Sequence, residues 1–468
     1  VANRWLTRVL DGIADRGLDL FRTAAAEKVP HDVAGLCHAL LTGKGEASGI
    51  ALSREILSAY QHMDSNQKTG FFQLLADNFG ADPETIQQAT DAYLASRTQA
   101  DFQRLIEAVE PPRQELFRLL NMAPNATAQL VNMRGELIPL LKSRPELAPV
   151  DADFRHILAS WFNRGFLNLA KIDWYTPAHI LEKLINYESV HAIRGWDDLR
   201  RRLMEDRRCF AFFHPALPDE PLIFVEVALV KNIPDDIQPL LDVHSPKLPV
   251  DQADTAVFYS INNTLRGLRG ISFGNFLIKQ VLEELREECP WIKRFVTLSP
   301  MPRFASTMAA AIDDRLSELP PDKLEALLQA HAETLVEKTE TTSLAPIWFR
   351  RIQEAHDDES LVEATRSLCL AYLTQRREKG GMLDPVASFH LSNGASLERI
   401  NVNADSSPER QKESWGCMVN YLYDPESVER NHELFFSGKE IPMSKPLAKL
   451  HRNIQSAYDS VDENIKAT

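Results

Sequence analysis

The chain has 468 residues, enough for two or three domain-sized units and a substantial core. Its 44% hydrophobic and 25% charged residues exclude wholesale disorder, a collagen-like fibre and a disulfide scaffold. Acidic residues outnumber basic ones by 66 to 52, a net charge of −14, which argues against a nucleic-acid coat but allows a local basic pocket for a small anion.

Cys37, Cys209, Cys289, Cys369 and Cys417 are odd in number and far apart. With no CxxC and no Cys/His pair at zinc spacing, they read as reduced thiols and no metal site is expected. The longest strongly apolar stretch, Leu222 to Val230, is broken by Glu226 and is too short to span a bilayer. The expectation is a cytoplasmic chain with neither a membrane nor a nucleic-acid partner.

From Val1 to about Pro149 apolar residues recur at helical spacing: Leu6, Val9, Leu10 and Ile13, then Phe102, Leu105, Ile106 and Val109 behind an Asp101 cap. Asp82 and Pro83 form a cap and first-turn pair. Breaks at Gly80, Pro111, Pro112 and Pro145, with no fixed repeat, predict a bundle of short helices. After Trp161, Thr176 and Pro177 repeat the cap signal. Strands are then predicted at Cys209–Phe213, Leu222–Val230, Ala256–Ile261, Phe295–Leu298 and Met418–Tyr423. Val386–Leu391 and Leu397–Val402 are predicted as a hairpin about Asn393 and Gly394. A helical insertion is expected between Thr307 and Gln375, clearest at Leu324–Leu335 and Leu361–Leu373.

The stretch from Ala256 to Leu285 reads as strand, glycine-rich loop and amphipathic helix. Glycines let backbone approach an anion, and the free amides of a helix start point at it. Arg266 and Arg269 would add positive charge near a pyrophosphate. The spacing is neither GxGxxG nor GK[ST], so a plain glycine-rich turn with two solvated arginines is the competing reading. Ser299, between Pro300, Pro302 and a presumed strand end, projects from stiff backbone, though by itself it could merely cap a turn. Strand alternation would bury Phe389 and Leu391 and turn His390 to the other side, beside polar Asn393, Asn401, Asn403 and Asp405. His214, at a strand end, reads as a bystander.

The runs FFHPALPDEPLIFVEVAL, FYSINNTLRGLRGISFGNFLIK, TLSPMPRF, PVASFHLSNGASLERINVNAD and WGCMVNYLYD resemble malonyl-CoA decarboxylase, in order from about Trp161 to Asp424. The resemblance implies an α+β multidomain chain. Residues 1–160 would form an all-α helical bundle used for homo-oligomerisation, and residues 161–468 a GNAT-type α/β catalytic domain with a helical insertion. It implies Ser299 and His390 as the catalytic serine and histidine, with Tyr423 supporting the histidine. CoA would be bound by Arg266 and by the loop Arg269, Gly270, Ile271, Ser272, Phe273, Gly274 and Asn275. Ser272 departs from relatives that carry a glutamate there, and Lys466, Ala467 and Thr468 are not the SKL address of some animal members.

The implied reaction takes malonyl-CoA to acetyl-CoA and CO₂ through an enolate. Ser299 would hydrogen-bond the malonyl carboxylate or thioester and His390 would protonate C2. The thioester is itself the electron sink, so no metal or organic cofactor is expected, CoA being part of the substrate. Two other classes use the same loop: a GNAT acyltransferase acting on an amine, and a non-catalytic acyl-CoA sensor.

Overall fold

A computed structural model describes residues 32–43, 45–271, 277–329, 331, 345–354, 359–377, 381–438 and 440–467. It divides into two compact units. One draws on the chain up to Asn168, on Phe212–Ile223 and on the loop after Asn263; the other on Leu169–Ala211, Phe224–Asn262 and the chain after Asn275.

The first unit is built of short helices, Val33–Thr42, Glu46–Gln61, Ser65–Asn78, Pro83–Ser96, Gln99–Val109, Pro112–Leu120, Ala126–Leu137 and Ala148–Trp161. Their starts follow local chemistry. Asp32 caps the first, Asp64 and Gln67 form a capping box on the third, and Asp82 caps the fourth with Pro83 in its first turn. The fifth helix begins earlier than expected. Thr98 is its cap, and Asp101 sits in the first turn, where its carboxylate accepts the Ser96 and Thr98 hydroxyls. Phe72, Leu75, Leu120 and the stacked rings of Phe117 and Phe154, 4.0 Å apart, fill the core. The apolar stripe of the fifth helix does not join it: Phe102, Ile106 and Val109 are 39–47% exposed. His214 is hydrogen-bonded at both nitrogens, to the Trp161 carbonyl and the Ala216 amide. The stretch Leu6 to Ile13 lies outside the described residues.

The second unit carries an eight-stranded sheet: β1 Asn168–Ile172, β2 Arg207–Phe213, β3 Ile223–Val230, β4 Thr255–Asn263, β5 Arg294–Thr297, β6 Ser299–Pro300, β7 Ser396–Asn401 and β8 Met418–Leu422. The order runs β1-β2-β3-β4-β5-β8-β6, with β7 also on β8. β4 and β5 are parallel, while β5, β6 and β7 are all antiparallel to β8. Three expectations change. β1 was not anticipated. At Thr176 and Pro177 the proline itself takes the cap position of helix Ala178–Tyr187, and the Thr176 hydroxyl accepts the Asp173 amide instead. Residues 385–392 form a helix, so there is no hairpin about Asn393 and Gly394.

The insertion contributes helices Pro321–Gln329, Ala345–Glu354 and Glu359–Thr374. It buries Trp348 edge-on to Trp415, ring centroids 4.8 Å apart. A core cluster beneath the sheet gathers Ala228, Val257, Tyr259, Val296, Leu298 and Met418. Among the described residues no helix is long and apolar enough to cross a membrane.

Candidate active site

The site begins with the alternation of two strand segments. Val296 and Leu298 point into the core cluster, so Thr297 and Ser299 must point to the opposite face. Val296 pairs with Leu422 and Ser299 with Val419, so one register holds across Leu298. On β8 the same rule sends Met418 and Leu422 towards the core cluster, and Tyr421 and Tyr423 towards the face of Thr297 and Ser299.

The helix Pro385–Ser392 covers that face and delivers His390. Asp384 caps it, accepting the Ala387 amide at 2.6 Å, and Pro385 occupies its first turn. Buried Asp384 also accepts the Tyr372 hydroxyl at 2.8 Å, which ties the helix start to the insertion. Gly394, with φ +85°, ends the helix, and a side chain there would meet the Val428 carbonyl. The helical period therefore buries His390 and Leu391 and leaves Phe389 exposed, which reverses the strand reading of Phe389 and His390. The polar residues around it are spent elsewhere: Asn393 bonds the Phe389 carbonyl, Asn401 bonds Asn420, and Asp405 accepts from Gln238 and the Ser407 amide.

His390 Nε2 lies 3.1 Å from Ser299 Oγ, and its Nδ1 lies 2.8 Å from the Tyr423 hydroxyl. The Ser299 hydroxyl donates to Thr297 Oγ1 at 2.9 Å. Tyr421 stacks on the imidazole with ring centroids 4.5 Å apart. Exposure falls from 7% at Ser299 to 3% at His390 and 1% at Tyr423, so Ser299 is the end of the chain that a reactant meets first. Burial holds the Tyr423 hydroxyl well above the usual tyrosine range and pulls His390 down to about 3, so the imidazole is neutral at physiological pH.

That burial carries a stability consequence. His191 is likewise held at about 3, mainly by burial and then by Arg410 and Arg202, and burial also lowers His214, His331 and His451. Below the ordinary value of 6.5 the unfolded chain binds more protons at these histidines, so stability is lost as pH falls through that window. Burial pushes Glu226 up to about 7 and also raises Asp384. There the folded chain holds the extra proton, and that contribution is lost as pH rises. Five histidines against two carboxyls set the balance. The urea midpoint is expected to climb from pH 4.5 to 6.5, with a shallower climb in His390→Asn. A midpoint flat across that range would contradict the burial of these rings.

Of the expected CoA-loop residues, Arg266, Arg269, Gly270 and Ile271 are described, while Ser272, Phe273, Gly274 and Asn275 lie outside the described residues. Within the first unit, the buried Arg134 of helix Ala126–Leu137 donates from Nη1 to the carbonyls of Gly267 and Arg269, at 2.6 and 3.0 Å. Asp151 accepts its Nε at 2.8 Å. Gly267 packs so tightly on this helix that a Cβ would stand 1.8 Å from the Val131 carbonyl oxygen. Gly270 has φ +77°, and among the described residues no atom would lie within 4 Å of a Cβ there.

Family models match residues 165–463 to the malonyl-CoA decarboxylase C-terminal domain and residues 79–162 to the malonyl-CoA decarboxylase N-terminal domain. The chain belongs to the malonyl-CoA decarboxylase family. A mitochondrial malonyl-CoA decarboxylase of Anser anser anser is 34% identical over 84% of this chain and 82% of its own. Crystal structures of malonyl-CoA decarboxylase from Rhodopseudomonas palustris and Agrobacterium vitis superpose with TM-scores of 0.80 and 0.76. They are 46% and 44% identical, and cover 89% and 90% of this chain and 98% and 99% of their own. The expected α+β architecture of helical region followed by mixed sheet domain is thus that of the malonyl-CoA decarboxylase family.

The structure brings Ser299, His390 and Tyr423 into one hydrogen-bonded chain. Sequence reasoning missed Thr297, Tyr421 and Asp384 beside them. Asp384 followed by Pro385 is the same start signal that was read correctly at Asp82 and Pro83. Thr297 and Tyr421 carried only a weaker signal, their two-residue spacing from Ser299 and Tyr423 on a strand. Among the described residues no cluster of three or more His, Cys, Asp or Glu could hold a metal ion.

Proposed function

We propose that Ser299, His390 and Tyr423 are the groups with which this family member decarboxylates malonyl-CoA to acetyl-CoA and CO₂. The observation that carries this is a buried chain of three side chains, Tyr423 to His390 to Ser299, whose outer end is a serine. Loss of CO₂ leaves an enolate, which needs charge stabilisation at the thioester oxygen and a proton at C2. A low-dielectric pocket disfavours the malonyl carboxylate more than neutral CO₂, and it strengthens every hydrogen bond to the reacting atoms. Ser299 is assigned to the malonyl carboxylate or thioester. His390, a neutral imidazole, is assigned as the C2 acid, since a thioester enolate is basic enough to take a proton from a neutral N–H. Tyr423 offsets charge developing on the ring through Nδ1. The thioester is the electron sink, so the proposed reaction calls on neither metal nor organic cofactor.

Arg266 and the loop from Arg269 to Asn275 are assigned to CoA, with the pyrophosphate against backbone amides in a GNAT-type arrangement. The test of the reaction is incubation of the pure chain with malonyl-CoA and no amine, read by mass spectrometry. Acetyl-CoA and released CO₂ are expected; malonyl-CoA left unconsumed by folded protein would overturn the reading. Cytoplasmic residence is proposed on the free state of all five cysteines, which suits a reducing compartment.

Homo-oligomerisation is assigned to the helical unit. Helices Pro83–Ser96 and Gln99–Val109 have no buried residue and leave Leu94, Phe102, Ile106 and Val109 exposed. The full chain is expected to sediment above monomer mass at micromolar concentration. Replacing Phe102 and Ile106 with glutamate should drive it towards monomer, and a wild-type monomer would refute the assignment.

A further inference from the structure

We propose that Thr297 is a positioning residue that fixes the direction of the hydrogen-bonded chain, holding the imidazole proton on His390 Nε2 where it faces Ser299. This rests on the assignment of Ser299 and His390 to the reaction.

Thr297 is fully buried, and its Oγ1 accepts two hydrogen bonds, from the Ser299 hydroxyl at 2.9 Å and from the Tyr421 amide at 3.2 Å. Both acceptor sites of the hydroxyl oxygen are therefore taken. Its carbonyl oxygen accepts Asn420 Nδ2 at 2.8 Å, and Asn420 is in turn held by Asn401 and Arg399. Main chain and side chain of Thr297 are thus both anchored to β8, and the acceptor offered to Ser299 has a fixed place.

Ser299 has one hydroxyl proton. Without substrate that proton rests on Thr297, and with malonyl-CoA bound it turns to the malonyl oxygen; in both states Ser299 can only accept from His390. A neutral imidazole has one N–H, so it lies at Nε2, and Nδ1 accepts the Tyr423 hydroxyl proton. The reverse chain, with Ser299 donating to Nε2 and Nδ1–H donating to Tyr423, would fit the same two distances of 3.1 and 2.8 Å. Thr297 is what selects between them. The choice matters chemically, because protonating C2 requires an N–H on the Ser299 side, and the reverse tautomer would present a lone pair there.

Thr297→Val keeps the shape and removes the acceptor, whereas Thr297→Ser keeps the acceptor and removes a methyl. The full chain is labelled with ¹⁵N-histidine, and the His390 signals are identified by their loss in His390→Asn. Wild type is expected to show Nε2–H with Nδ1 unprotonated. Thr297→Val should shift towards Nδ1–H, with kcat falling by roughly tenfold or more and the KM for malonyl-CoA within about twofold; Thr297→Ser should restore both. A wild-type His390 in the Nδ1–H form overturns the proposal. So does a folded Thr297→Val that keeps the wild-type tautomer, even if its melting temperature falls. Should Thr297→Val not fold, the wild-type tautomer and that of Thr297→Ser decide. If Ser299→Ala and His390→Asn both keep full turnover, the catalytic assignment fails separately, since the tautomer is read without turnover.

Discussion

His390→Asn is expected to lower malonyl-CoA turnover by roughly 10² to 10⁴ while CoA affinity stays near wild type. Asparagine has similar bulk and can keep one hydrogen bond, but it cannot hand a proton on from one ring nitrogen as another arrives at the other. The neutral state of His390 adds a distinctive feature: with its value held near 3, the rate should show no inflection near 6.5 from this residue. Ser299→Ala should also cost turnover with little change in binding, because it removes the outermost group of the chain and leaves His390 Nε2 without its partner at 3.1 Å. Both changes act on one transition state, so the double variant should be far less impaired than the product of the single losses. Decarboxylation rates of the three variants beside CoA binding check this. Turnover near wild type in His390→Asn would return the histidine to a packing role and require another proton donor.

How much of this was legible depended on how many residues each signal occupies. The run from Val296 to Ser299 alternates because one face of its strand lies on the core cluster, whereas Met418 to Tyr423 shows as a short, nearly continuous apolar and aromatic run buried on both faces. The helix Pro385–Ser392 has only eight residues, too few turns for a helical period to separate from an apolar run. Its closing Asn393 and Gly394 suit a hairpin turn and a helix cap equally, since both need a residue that tolerates positive φ. Only the Asp384–Pro385 start favoured the helix. β1 is short and mostly outside the core, so it left almost no pattern. The stripe of Phe102, Ile106 and Val109 shows a different limit: periodicity reveals an apolar face, not whether the same chain covers it. Two-residue spacing puts Thr297 and Tyr421 on the faces of Ser299 and Tyr423, but the hydrogen bond between them joins positions 124 residues apart in sequence, a pairing that no local pattern encodes.

Gly267, in the turn that leads into the proposed CoA loop, and Gly270, within it, should respond differently to substitution, because the structure gives each a different reason to be glycine. Gly267→Ala would put its Cβ 1.8 Å from the Val131 carbonyl oxygen and 2.7 Å from the carbonyl carbon, both backbone of the neighbouring helix. Backbone cannot swing aside as a side chain does, so the loop must retreat. Its two bonds from Arg134, at 2.6 and 3.0 Å, would be stretched or lost. Overpacking of this kind costs about 1–3 kcal/mol or more, so the expected result is a lower melting temperature together with a KM for malonyl-CoA raised about tenfold or beyond. Gly270→Val meets no atom within 4 Å of its Cβ among the described residues, but φ +77° is a conformation that a β-branched residue resists. The loop relieves that strain by leaving its binding conformation rather than by unfolding the helices. Melting should therefore stay near wild type while CoA affinity drops, by up to about tenfold for each 1.4 kcal/mol of strain. The separation between the two variants is what tests the assignment. If both bind CoA as tightly as wild type although Gly267→Ala melts early, the loop is held against the helix for stability alone and the CoA site lies elsewhere.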